Sequence, residues 1–137
     1  MIGNLFSIQG VVNYLNAHNY KTNFETVSNY LKYLLDTFLV HEVHRFDLKG
    51  KEILKGVCKY YVNDLSFRNY LSSSFDYGLG GHLENVIYLH YRLKGYKTYV
   101  GKIGKQEIDF VIETKKRTQT QKSHVVCVEV KYSKKWD

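Results

Sequence analysis

The stretches Gln-Glu-Ile-Asp-Phe-Val-Ile at 106–112 and Val-Glu-Val-Lys-Tyr-Ser at 128–133 each predict a β-strand. The second alternates apolar with polar side chains, a period typical of a strand, and the first is a short apolar run that contains Asp109. The polar loop between them, 114–123, allows the two strands to pair antiparallel. Pairing about the middle of this loop sets Asp109 opposite the segment from Glu129 to Lys131.

The charged side chains of these strands predict a metal site. Asp109 points to the face opposite Phe110, and Glu129 and Lys131 share one face of the second strand. Two carboxylates and an amine then converge on a largely apolar surface, where a buried charge loses hydration. A hard divalent cation resolves this conflict, because Mg²⁺ binds carboxylate oxygens. We expect Asp109 and Glu129, with the backbone carbonyl of Val130, to bind Mg²⁺ or Mn²⁺, and Lys131 to orient or activate the attacking water.

The first part of the chain has a different pattern. Apolar residues recur at helical spacing from Leu5 to Leu15, and a capping box formed by Thr22 and Glu25 predicts the start of a second helix. Strand-like segments follow at 39–46 and up to Val62, with a turn between them. Helix, turn, helix and hairpin in this order predict a winged helix-turn-helix, whose second helix would present polar residues to a DNA groove.

A glycine cluster, Gly78, Gly80 and Gly81, predicts the boundary between two domains, 1–77 and 78–137. After it, apolar residues at helical spacing predict a helix that carries Glu84, and three strands follow. The chain is therefore expected to be α/β (α+β), with a winged helix-turn-helix followed by a second domain.

Charge is distributed unevenly along the chain. The net charge is +7, and residues 81–137 hold 12 basic and 6 acidic side chains. Such an excess attracts polyanions, so DNA is the expected partner, although a basic face that only confers solubility explains the charge equally well. The side chains expected to contact phosphates lie in the loop and near the end of the chain: Lys115, Lys116, Arg117, Lys122, Lys134 and Lys135.

Other classes of protein are disfavoured. No apolar run approaches the roughly 20 residues that span a bilayer, so we expect a cytoplasmic protein without a membrane partner. The two cysteines, Cys58 and Cys127, have no second cysteine at metal-ligand spacing and are interpreted as reduced core residues. His18, His41 and His44 match no metal motif and are expected to be ordinary surface or turn residues. No phosphate-binding loop of the Gly-x-x-x-x-Gly-Lys-Ser/Thr type occurs, which excludes nucleotide hydrolysis by this sequence itself.

The two quoted stretches, with Leu-Glu-Asn at 83–85, resemble motifs II and III and the helix glutamate of the PD-(D/E)XK nuclease superfamily. The whole chain resembles the C-terminal region of uncharacterised prokaryotic AAA+ family ATPases, in which a winged helix precedes a nuclease-like domain. The resemblance implies that Asp109 and Glu129 bind the metal, that Lys131 is the catalytic lysine and that Glu84 assists the metal.

The same resemblance implies a restriction-endonuclease-like domain at 78–137 that is incomplete at its C-terminus, because the superfamily fold normally adds a helix and further strands. It also implies an ATPase module on the full-length chain. Homo-oligomer formation is left open.

Three functions remain in competition. The first is a Mg²⁺-dependent DNA endonuclease domain. The second is a catalytically silent module that docks DNA or protein for an ATPase, and the third is a transcriptional regulator that uses the winged helix alone. A plainer structural alternative also stands, in which Glu129 and Lys131 are a cross-strand pair at a sheet edge and Asp109 caps a turn.

Overall fold

The computed structural model describes residues 4–5, 7–71, 79–114 and 124–131. These residues form a mixed α/β structure of four helices and five strands. The helices are Ile8–Ala17 (α1), Phe24–Asp36 (α2), Leu65–Leu71 (α3) and Leu79–Leu93 (α4). The strands are Val40–Asp47 (β1), Glu52–Val62 (β2), Lys97–Ile103 (β3), Gln106–Glu113 (β4) and Val125–Val128 (β5). Within the described ranges, no helix combines the length and the apolar character that a membrane crossing requires.

The start of α2 differs by one residue from the prediction. Asn23 is the N-cap, and its side-chain oxygen accepts a hydrogen bond from the Thr26 backbone N–H at 2.8 Å. Thr22 does not form the predicted capping box with Glu25, because it lies one residue before the N-cap, where its backbone N–H donates to the Asn16 side chain at 2.9 Å. Asparagine satisfies the orphan N–H groups of a helix start as well as threonine does.

All five strands belong to one sheet, in the order β2-β1-β3-β4-β5. Neighbouring strands are antiparallel except β1 and β3, which pair in parallel. The β1–β2 hairpin therefore shares its sheet with strands that follow the predicted boundary, since β1 hydrogen-bonds to β3. Gly80 and Gly81 lie in the first turn of α4 and not in a linker, while Gly78 is outside the described residues.

Helix α4 packs against this sheet and closes a core drawn from both predicted domains. Its buried members are Val43, Tyr61, Tyr88, Val100, Phe110 and Ile112. The rings of Tyr61 and Tyr88 stack with their centroids 4.7 Å apart. Asn85, also fully buried on α4, binds both backbone groups of Val62 at 2.9 Å, so the helix is fixed to the end of β2.

A bulge in β4 changes the predicted assignment of side chains to faces. Tyr99 pairs with Val111 and Gly101 with Ile108, which leaves one extra residue in β4 between these pairs. A bulge shifts the alternation by one residue. Glu107 precedes the bulge and consequently lies, with Phe110 and Ile112, on the face of the sheet that packs against α4. The prediction that odd and even positions point to opposite faces along the whole of β4 is therefore wrong.

The predicted register between the last two strands is confirmed. Phe110 pairs with Val128 and Glu113 with Val125, which corresponds to the expected centre of the intervening loop. The strand β5 is shorter than predicted, because it ends at Val128. Cys58 is buried as predicted, but Cys127 is exposed, since β5 is the last strand of the described sheet and its outer residues have nothing packed over them among the described residues.

Candidate functional site

The charged residues of the core face meet at a buried lysine. Lys59 on β2 is only 3% exposed, and its ammonium lies 3.2 Å from the Glu84 carboxylate of α4 and 2.8 Å from the Glu107 carboxylate of β4. A buried charge is tolerated when it is paired and hydrogen-bonded. Burial alone would lower the pKa of Lys59, but the hydrogen bond to Glu107 and the charge of Glu84 outweigh it and raise the pKa.

Tyr61 extends this cluster toward Asp109. Its hydroxyl donates to the same Glu84 oxygen that contacts Lys59, at 3.2 Å. Burial raises the pKa of the Tyr61 phenol, and the negative charges of Glu84, Asp109 and Glu107 raise it further. Three carboxylates therefore favour the neutral form of this hydroxyl, and Glu84 accepts its hydrogen bond.

Asp109 links the cluster to the second quoted stretch. Its Oδ2 accepts a hydrogen bond from the Val130 backbone N–H at 2.7 Å. Val130 lies between Glu129 and Lys131, so the structure places Asp109 beside the segment that the sequence predicted. The contact is made by the amide N–H of Val130, whereas the carbonyl was the predicted ligand.

Glu129 and Lys131 do not enter the cluster. Val128 and Val130 pack against the core, which directs the alternate side chains away from it. Glu129 and Lys131 are instead 56% and 85% exposed and form an ion pair with each other at 3.4 Å. The predicted convergence is thus divided. Tyr61 is hydrogen-bonded to Glu84 and feels the charge of Asp109, while Glu129 and Lys131 lie at the solvent side of their segment.

Sequence reasoning missed Lys59, Tyr61 and Glu107. A signal existed for Lys59, because a lysine inside the run Val-Cys-Lys-Tyr-Tyr-Val occupies a position where burial is expected. Glu107 was hidden by the bulge, which no local pattern in β4 reveals. The predicted phosphate contacts at Lys115, Lys116, Arg117, Lys122, Lys134 and Lys135 lie outside the described residues.

The donor atoms of the cluster suit a hard cation. Glu84, Glu107 and Asp109 contribute three carboxylates against the single ammonium of Lys59, so negative charge remains uncompensated. These three carboxylates are too far apart to bind one metal ion directly. In the described part of the chain, the three His, Cys, Asp or Glu residues whose ligand atoms lie close enough to do so are elsewhere. Mg²⁺ retains several waters in most protein sites and accommodates such spacing.

Two comparisons with known proteins return matches. A family model described as "Domain of unknown function (DUF8612)" matches residues 1–78. An uncharacterised protein of Haemophilus influenzae is 30% identical over 110 residues, which cover 80% of this chain and 28% of the relative. Uncharacterized protein MJ1544 of Methanocaldococcus jannaschii is 30% identical over 139 residues, which cover 98% of this chain and 30% of the relative.

The chain thus spans less than a third of the length of either relative. The family match ends at residue 78, where the glycine cluster placed a boundary, although the sheet continues across it. No solved structure matches.

Proposed function

The chain belongs to the family described as a domain of unknown function (DUF8612), and we propose that this member is the DNA-binding, nuclease-like part of a longer ATPase. One observation carries the proposal. Asp109 is hydrogen-bonded at Val130, between Glu129 and Lys131, and its negative charge acts on Tyr61, whose hydroxyl is bonded to Glu84. Residues of α4, of β4 and of the segment after β5 that share the motif pattern are therefore linked through Tyr61 and Val130.

In this proposal, α1, α2 and the β1–β2 hairpin are a winged-helix part, and α4 with β3, β4 and β5 is a nuclease-like part. The two parts share a sheet, so the DNA-contacting surfaces of both would be held in a fixed relation. The basic excess of residues 81–137 supports DNA as the partner, because phosphate neutralisation dominates such binding.

Mg²⁺ or Mn²⁺ would be held by Asp109 with the Glu84 and Glu107 carboxylates, partly through its bound waters, and it would supply a Lewis acid and an activated water for phosphodiester hydrolysis. The residues of the chain have separate tasks. Lys59 and Tyr61 both contact Oε2 of Glu84 and so restrict the rotation of this carboxylate. Lys131, with 85% of its side chain exposed, is accessible to a backbone phosphate.

A catalytically silent docking module is the second candidate, and a specific observation favours it. Aromatic side chains of α1, α2 and the residues next to them are unusually exposed: Tyr14, Tyr20, Phe24, Tyr30, Tyr33 and Phe38 are each more than half accessible. Exposed aromatic residues are typical of surfaces that bind a partner. In this alternative the Lys59 cluster serves only to stabilise the fold.

The two candidates are separated by calorimetric titration of Mg²⁺ and Mn²⁺, with DNA cleavage assayed on the same samples. Wild type is compared with Asp109→Asn, and Glu113→Gln is the matched control, since Glu113 is an acidic residue near the other end of β4. A nuclease-like site predicts that Asp109→Asn weakens metal binding at least about tenfold and abolishes cleavage, because a charged ligand is lost.

Glu113→Gln should retain both properties. Metal affinity that is equal in Asp109→Asn and wild type would exclude the nuclease proposal. DNA or protein binding that persists without Mg²⁺ would then support the docking module.

A further inference from the structure

We propose that Glu42, His44 and Cys58 form a zinc site. One potential ligand atom from each of these residues lies within 4.8 Å of the other two, and no other triad of His, Cys, Asp or Glu in the described chain meets this criterion. No sequence motif predicts this site, because His44 and Cys58 are 14 residues apart and lie on different strands.

Two features of the sheet bring these ligands together. Glu42 and His44 are two residues apart on β1, so their side chains share a face. Val43 pairs with Lys59 but Arg45 pairs with Leu54, which leaves residues 55–58 of β2 as an irregular segment opposite His44. Gly56 in that segment has φ of 101°, a conformation that L side chains rarely adopt, and it helps to carry Cys58 back into the sheet.

Contacts around the triad already orient its members. His44 Nδ1 lies 3.2 Å from Cys58 Sγ, and His44 Nε2 lies 3.5 Å from Glu42 Oε2. The Tyr60 hydroxyl donates a hydrogen bond to the other oxygen, Glu42 Oε1. A carboxylate that binds a metal is usually held in position by a hydrogen bond from a neighbouring group. Here the bond to Oε1 leaves Oε2 of Glu42 on the side of His44.

The ligand types select the metal. A thiolate, an imidazole and a carboxylate suit Zn²⁺, whereas Mg²⁺ and Ca²⁺ require oxygen ligands. On binding, Zn²⁺ takes the place of the thiol proton, which passes to solvent, and three protein ligands leave a fourth position for water. His44 is about half exposed, which gives the ion access, while the Cys58 thiol is 2% exposed and shielded from oxidation.

This site is distinct from the Asp109 cluster. Val43 lies between Glu42 and His44 and packs with Tyr61 in the core, so the alternate side chains face the other side of the sheet. The zinc inference therefore does not depend on the proposed nuclease function.

The test titrates Co²⁺, a spectroscopic substitute for Zn²⁺, into the full chain in a buffer without thiols. Wild type should bind one Co²⁺ with a thiolate-to-cobalt charge-transfer band, and added Zn²⁺ should displace it. Cys58→Ser should lose this band and bind at least about tenfold more weakly, because a thiolate ligand is removed. The matched control is Cys127→Ser, since Cys127 is exposed and remote from the triad in the sheet order.

His44→Gln provides a second variant at a half-exposed side chain, and circular dichroism establishes that each variant is folded. His44→Gln should also weaken Co²⁺ binding at least about tenfold. At Co²⁺ concentrations high enough to fill the site, the thiolate-to-cobalt band should remain, because Cys58 is unchanged. Absence of the charge-transfer band in wild type, or its loss in Cys127→Ser rather than Cys58→Ser, would overturn the zinc site. Unchanged affinity in His44→Gln would overturn it as well.

Discussion

At the scale of single residues, the distinctive feature of the core is a buried charge, the ammonium of Lys59. Lys59 is almost fully buried, yet its two partners, Glu84 and Glu107, are 19% and 35% exposed. Buried ion pairs contribute little net stability compared with apolar replacements, but breaking one by removal of a single partner is costly. Lys59 therefore connects β2, α4 and β4 through two ion pairs.

We predict that Lys59→Met destabilises the protein by about 2–4 kcal/mol, because Glu84 and Glu107 lose their cation while partly desolvated. Urea unfolding measures this change. Adding Glu107→Gln to Lys59→Met should restore part of the loss, since the uncompensated charge is then reduced.

Lys97→Met, at an exposed position of β3, is the matched control and should change stability by less than about 0.5 kcal/mol. A loss for Lys59→Met no larger than that of this control would show that the ion pairs are not structural.

At the scale of elements, the pairing of β3 with β4 depends on a glycine. A Cβ built on Gly101 would lie 2.7 Å from the Val111 side chain and 2.9 Å from Ile108 Cβ. Both of these residues flank the bulge that places Asp109 next to β5. Close packing at Gly101 is thus what allows the bulged strand to remain in the sheet.

Gly101→Ala should destabilise the protein by about 1–3 kcal/mol, because Ile108 and Val111 must move apart to accept the methyl group. Gly80→Ala is the matched comparison: it lies in α4, and a Cβ there would meet nothing within 4 Å. That substitution should be neutral or stabilise by up to about 1 kcal/mol. Thermal unfolding distinguishes them, and equal effects of the two changes would contradict the packing argument.

At the scale of the whole molecule, one sheet spans the boundary that both the glycine cluster and the family match place near residue 78. Parallel pairing of β1 with β3 and the shared core of Val43, Tyr61 and Phe110 make the two halves interdependent. A ligand that binds to one half therefore also stabilises the other half, because the two halves fold as one unit.

We predict that native-state hydrogen exchange gives the amides of β1 and β4 opening free energies that agree within about 1 kcal/mol, because both open only by global unfolding. Lys59→Met should lower both values by the same amount. Amides of α1, which packs chiefly on α2, serve as the internal control for local opening. Clearly separate values for β1 and β4 would instead indicate two independently stable domains.

Three features of this protein were predicted from the sequence: the order of the elements apart from α3, the strand register of β4 with β5, and the position of Asp109 beside Val130. These features follow from side-chain period and loop symmetry, which are local properties of the chain. The coarse α/β class was predicted for the same reason.

Only the tertiary structure decided the rest. The parallel β1–β3 pairing, the bulge in β4, the burial of Lys59 and the approach of Cys58 to His44 join residues that are distant in sequence. His41, expected at the surface, is buried because β1 became an interior strand of the sheet. A local sequence pattern predicts that a segment is a strand, but it does not predict which strands pair with it. The neighbouring strands are selected by the free energy of packing between residues that are distant in sequence.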